Sequence, residues 1–183
     1  MCIRDSGHLI VIDRMEDLKP LAGDRQFSPQ YCEVRLRYSP YIKDALVVGN
    51  ELRDYVAALI NIDLDNVGRY AEANHIPYTT FTDLSQKPEV VELANQEIRR
   101  INRTLPDHAR IRRFVNLHKE FDADEAELTR TRKLRRTFVE DRYRDLIQAL
   151  YSEMNKLDVE AEVTYRDGRT GVIRTSILVN DVQ

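Results

Sequence analysis

Thr129-Arg130-Thr131-Arg132-Lys133-Leu134-Arg135-Arg136 places five basic residues in eight positions, directly after the acidic stretch Asp122-Ala123-Asp124-Glu125-Ala126-Glu127. The single lysine among arginines is chemically distinct. Arginine forks clamp planar anions, whereas lysine is a compact charge on a mobile stem that can follow one phosphate oxygen. A lysine carried on a loop to a phosphate stabilises charge that builds in a transition state. The octet alone reads in two ways, as such a lysine or as the solvated basic start of a helix. The acidic run before it reads as a solvated loop.

Outward from the octet, Val139, Tyr143, Leu146 and Leu150 share one face of a helix predicted over 136–151. Beyond it, Val159, Ala161, Val163 and Tyr165 alternate with polar residues, as do Ile173, Thr175, Ile177 and Val179. Asp167-Gly168 between them supplies a two-residue turn, so an amphipathic β-hairpin packed on the main body is expected. Upstream, Phe114 to Leu117 reads as a short strand. Pro88 opens a helix whose Ala94, Ile98, Ile101 and Leu105 form one stripe.

Asp63 caps a helix carrying Leu64, Val67 and Ala71 that ends before Pro77. Ile42 to Gly49 and Tyr55 to Ile62 are strand-like runs joined by a hairpin connector. Ser28-Pro29 starts a helix running to about Tyr38. Ala22-Gly23-Asp24-Arg25 is a turn, and Leu9 to Ile12 a short strand that ends at the charged break Asp13 to Asp17. The order predicts a small α+β domain with a sheet of about three strands, flanking helices and a C-terminal β-hairpin.

The composition excludes several classes. The 183 residues, 42% hydrophobic and 32% charged, are ordinary for one globular domain with a real core. A net charge of −3 argues against a dedicated nucleic-acid binder. The two cysteines and four histidines show no metal-ligand spacing, so no protein-built metal site is expected. No apolar run approaches the ~20 residues that span a bilayer. Two cysteines without a disulfide framework make a reduced, cytoplasmic setting the expected default, with peripheral contact to a membrane allowed. Met1 to Ser6 has neither a signal-peptide nor a strand pattern and is similar to translated adapter sequence. Residues 1–6 are therefore expected to be a non-native leader, with the natural chain continuing upstream of about Gly7.

Three segments in order resemble the AMP-forming acyl-CoA synthetases, within the adenylate-forming superfamily. Ile12-Asp13-Arg14-Met15-Glu16-Asp17-Leu18-Lys19 resembles the junction between a large adenylating domain and a small mobile one. Gly23-Asp24-Arg25-Gln26-Phe27-Ser28-Pro29-Gln30 resembles the loop and helix start just after that junction. Leu128 to Arg136 is similar to the end motif Leu-Thr-Pro-Thr-x-Lys-Leu-Lys/Arg-Arg of long-chain acyl-CoA synthetases. The resemblance divides the chain into 7–15, the end of an adenylation domain that lies outside this sequence; 16–152, the mobile C-terminal domain; and 153–183, the hairpin extension.

The resemblance implies a fatty acid–CoA ligase using ATP with Mg²⁺, held mainly by the missing adenylation domain, and CoA as co-substrate. By the same resemblance, Lys133 matches the catalytic lysine that reaches the α-phosphate. Arg14 lies near the nucleotide and Glu16 at the hinge. Gly23 and Asp24 belong to the loop that enters the site for thioester formation, where the family usually has glycine at the place of Asp24. Arg130 stands where the family often has proline. Arg99, Arg100 and Arg103, with Arg110 to Arg113, are candidates for the CoA phosphates, or else exposed helix-face charges. These residues alone are not expected to turn over substrate. The alternatives are a ligase that loads a carrier protein and a non-catalytic basic binding module.

Overall fold

The computed structural model describes residues 2–3, 9–10, 13–164 and 170–182. The strands are β1 (Cys2–Ile3), β2 (Leu9–Ile10), β3 (Lys19–Leu21), β4 (Arg25–Phe27), β5 (Ile42–Val48), β6 (Val56–Ile62), β7 (Ile111–Asn116), β8 (Lys156–Thr164) and β9 (Thr170–Asp181). The helices are α1 (Pro29–Leu36), α2 (Leu64–Ala73), α3 (Phe81–Ser85), α4 (Pro88–Asn102), α5 (Arg136–Arg142) and α6 (Arg144–Leu150).

β6 organises the molecule. Its Val-Ala-Ala-Leu-Ile-Asn-Ile run is buried throughout, as expected for a strand covered on both faces. Successive side chains point to opposite faces. Ala58, Ile60 and Ile62 therefore join one core with Leu36 of α1, Val67 of α2, Ile98 of α4 and Phe114 of β7. Ala57 and Leu59 join a second core with Val139 of α5, Leu146 and Leu150 of α6, and Ile177 and Val179 of β9. Helices thus cover both faces of one sheet.

That sheet has the order β5-β6-β7-β9-β8. β6 and β7 are parallel and the other neighbours antiparallel. The three expected strands are present, and the C-terminal hairpin extends them to five. It docks edge-on, with Arg113 opposite Asp181 and Val115 opposite Val179, so backbone pairing as well as side-chain packing holds it. The Asp167-Gly168 turn lies outside the described residues, as do residues 11–12 of the first expected strand.

Local chemistry accounts for most helix starts. Ser28, Asp63 and Thr80 each accept a backbone N–H of the first turn through the side chain. Pro29 and Pro88 occupy first helical positions. α1 ends at Leu36, slightly before the expected limit. The short α3 is not marked by any long apolar period. The predicted 136–151 helix is interrupted at Tyr143 (φ −100°, ψ 25°), where the side chain turns inward to a buried carboxylate. The Ala22–Arg25 turn belongs to a small separate hairpin, β3–β4.

Candidate functional site

Lys133 sits on one arm of a tight hairpin. The Arg135 N–H donates to Glu127 O at 2.9 Å, Leu128 bridges Leu134, and the Thr129 N–H donates to Lys133 O at 2.8 Å. The Lys133 N–H donates to Thr129 Oγ1 at 3.0 Å, and the turn closes through Arg132 at φ +58°. The Lys133 side chain is exposed, and among the described residues no carboxylate or carbonyl accepts from its ammonium. A partnerless cation on a hydrogen-bonded arm is available to an incoming anion.

The base of this hairpin is buried where the sequence suggested a solvated loop. Glu127 is fully buried. Its Oε1 accepts from Tyr143 Oη at 2.8 Å and faces Arg142 Nε at 3.3 Å. Its Oε2 accepts from the Asp122 N–H at 2.9 Å and from Lys119 Nζ at 3.3 Å. Burial, then the neighbouring Glu127 charge, holds the Tyr143 phenol well above its usual range. Glu125 completes the cluster, bound by Lys119 and Arg142, and the Lys119 hydrogen bond holds its carboxyl low.

The other end of the octet is tied down as well. Arg136 bonds the buried carboxylate of Glu33 on α1 and donates from Nη1 to Val47 O at 3.0 Å. The octet is therefore not a uniformly solvated basic face. Its apex carries the exposed Arg130, Arg132 and Lys133, and its ends are anchored. Burial pushes the Glu33 carboxyl up, against the opposing pull of Arg136.

Arg14 and Glu16 lie in the segment before β3. Glu16 stands in a single 3-10 turn, Met15–Asp17, and is exposed. Arg14 bonds Glu16 Oε1 at 3.2 Å and Asp17 Oδ2 at 3.6 Å, so it is held by its own segment. Gly23 (φ +74°) and Asp24 (φ +54°) both take the left-handed conformation at the β3–β4 turn. Aspartate adopts that region more readily than most residues, so the turn forms without a second glycine. The Ala22 N–H donates to Arg53 O at 3.0 Å, which fastens this loop to the β5–β6 connector.

The basic candidates separate. Arg99 pairs with Glu92 at 2.5 Å and Arg100 with Glu97 at 2.6 Å. An open groove is lined by Arg99, Asn102, Arg103, Arg110 and Arg112, and Arg100 does not contribute to it. Arg113 points the other way. It is buried and donates to Leu150 O at 3.3 Å and Met154 O at 2.9 Å, closing the carbonyl end of α6. No spacing signal separates Arg113 from its neighbours except that, on a strand, it falls on the opposite face from Arg112.

Fold and site together define a small α+β module that offers a lysine hairpin, and comparison places it. A family model for the AMP-binding enzyme C-terminal domain matches residues 18–155, and the chain belongs to that family. It is similar to the long-chain-fatty-acid–CoA ligase FadD15 of Mycobacterium tuberculosis, 27% identical over 152 residues covering 82% of this chain and 25% of that one. It is also similar to the long-chain-fatty-acid–CoA ligase ACSBG2 of Gallus gallus, 28% identical over 171 residues, 84% of this chain and 22% of that one. The chain thus spans about a quarter of the length of these relatives. Among solved structures, the adenylation domain of a carboxylate reductase from Mycobacterium chelonae shares the fold, with a TM-score of 0.61 at 22% identity over 79% of this chain and 21% of that one.

Proposed function

We propose that this chain works as the mobile C-terminal domain of an ATP-dependent fatty acid–CoA ligase and supplies the lysine of the adenylating step. The observation that carries this reading is Lys133, exposed and without an acceptor among the described residues, at the arm of an anchored hairpin in a chain of this family. The names of the similar proteins favour CoA over a carrier protein as thiol. In this reading residues 7–15 end an adenylation domain, 16–152 form the mobile domain, and 153–183 form the hairpin extension.

In the first step a fatty acid carboxylate oxygen attacks the α-phosphorus of ATP. The bond to pyrophosphate breaks, and acyl-adenylate forms. Negative charge gathers on the α-phosphate oxygens, where the Lys133 ammonium stabilises it without forming a bond. In the second step the CoA sulfur attacks the acyl carbon, the acyl–oxygen bond breaks and AMP leaves. Glu16 turns the domain between the steps, and a short exposed polar segment such as Met15–Asp17 suits that change of dihedrals. Gly23 and Asp24 then enter the site, and Arg14 meets the nucleotide. Arg99 and Arg103, in the basic groove, would meet the CoA phosphates; Arg100, paired with Glu97 outside it, is the weaker of the three candidates.

Mg²⁺ would accompany ATP. Among the described residues no three His, Cys, Asp or Glu side chains are gathered as a metal site, so this chain's residues do not fit the ion, and no step is routed through it.

The test uses this chain joined to its adenylating domain. Lys133→Ala nearly abolishes fatty-acid-dependent ATP–pyrophosphate exchange and largely spares thioester formation from supplied acyl-adenylate. Glu16→Pro, which restricts φ, does the reverse. Equal loss of both steps in Lys133→Ala would remove its assigned role.

A further inference from the structure

We infer that Glu127 is a positioning residue for the adenylating step, holding the Lys133 hairpin at a fixed place on the domain through its buried carboxylate. The inference rests on the ligase reading above.

The side chain of Glu127 gathers donors from four places on the chain. Lys119 follows β7, Asp122 opens the acidic loop, Arg142 ends α5 and Tyr143 joins α5 to α6. Three of these donate hydrogen bonds to its oxygens and Arg142 adds an ion pair, so each oxygen of the buried carboxylate has two partners. Its main chain meanwhile forms the first rung of the hairpin, accepting from the Arg135 N–H at 2.9 Å. Two further rungs reach Lys133: the Leu128–Leu134 bridge and the Thr129 N–H to Lys133 O at 2.8 Å. One residue therefore joins the helical layer to the arm that carries the lysine.

This connection has a mechanistic consequence. A lysine stem carries about 2 kcal/mol of rotamer entropy, so a fixed root is the main means of limiting where its ammonium travels. A displacement of about 1 Å at a catalytic group costs on the order of 100-fold in rate. Replacing the carboxylate by an amide removes the negative charge and leaves Lys119 and Arg142 with Glu125 as their remaining acidic partner. It also turns an N–H donor toward whichever cation faces the amide nitrogen, Lys119 at the Oε2 position or Arg142 at the Oε1 position. The hairpin root then loses its fixed register relative to α5 and α6. The charge developing at the α-phosphate meets a displaced ammonium, while ground-state ATP, held elsewhere, is unaffected.

The experiment uses the chain joined to its adenylating domain and measures both half-reactions. In Glu127→Gln, kcat for ATP–pyrophosphate exchange falls on the order of 100-fold, KM for ATP stays within about twofold, and the thioester step stays within about twofold. Tyr143→Phe, which keeps the ring and removes one donor, shows the same pattern at about tenfold, and it serves if Glu127→Gln does not fold. A residue that only holds the fold together would lower both half-reactions in parallel. Parallel loss, or unchanged exchange in a folded variant, overturns the inference while Lys133→Ala still abolishes exchange. If Lys133→Ala itself spares exchange, the ligase reading fails, and the inference with it.

Discussion

The guanidinium of Arg136 forms an ion pair with Glu33, a residue of α1 only 9% exposed, and the same arginine donates to Val47 O. A residue that continues a basic surface run thus provides the counter-charge of a buried acid. Breaking such a pair from one side leaves the other charge stranded, which costs more than the pair contributes when intact.

Arg136→Met is therefore expected to destabilise the fold by on the order of 3 kcal/mol at neutral pH, read by urea denaturation. The sign with pH follows from Glu33. Its folded-state pKa is already raised, and without Arg136 it rises further. The folded state then binds more protons than the unfolded one above the usual carboxylate range, so the deficit grows as pH rises through that window and shrinks in acid. A deficit that does not change with pH would contradict the pairing.

Gly49→Ala tests the seat of the β3–β4 hairpin. A Cβ at Gly49 would stand 2.9 Å from Leu21 Cδ2 and 2.9 Å from Phe27 Cε1, both in the buried core. Neither neighbour is the free end of an exposed chain, so the expected loss is about 1–3 kcal/mol. Thermal melting of the variant at matched pH measures it, and an unchanged midpoint would show that the hairpin yields.

His118 sets an acid limit. Burial, with help from Lys119 and Arg142, holds its imidazole down to about 4. The unfolded chain binds its proton near 6.5, so the folded state binds fewer protons between these values. Stability from this group is present above pH 6.5 and is lost as pH falls toward 4. His118→Gln is expected to flatten the stability profile across that interval, measured by denaturant midpoints at several pH values. A slope equal to that of the parent would exclude His118 as its source.

Ending the chain after Asn155 removes β8 and β9 and uncovers the edge of β7. It also strips Ile177 and Val179 from the second core. An unpaired edge beside exposed apolar side chains favours association between chains. Light scattering is expected to show self-association of the shortened chain, whereas a stable monomer would make the hairpin dispensable to the fold.

The sequence resolved those features whose causes are local. Pro29 behind Ser28 and Pro88 ahead of its apolar stripe mark helix starts because they act on their own turn. The Val56–Ile62 run, apolar but for Asn61, marks a strand because its composition is written into adjacent residues. Lys133 was legible through a motif resemblance, and Asp24 through its tolerance of positive φ. Glu127 was not legible: an acidic run looks like a solvated loop unless its partners are known, and all four of them lie five to sixteen residues away along the chain.

By itself, the sequence determined the α+β class, most strands and helices and the family resemblance, and it singled out Lys133 as the candidate lysine, because each depends on neighbouring residues. Only the tertiary structure decided that the C-terminal hairpin completes a five-stranded sheet and that Arg113 and Arg136 turn inward. The same holds for the two buried carboxylates that tie down the ends of the Lys133 segment. Those outcomes depend on which distant groups compete for the same desolvated space, where a buried charge must find partners or cost several kcal/mol.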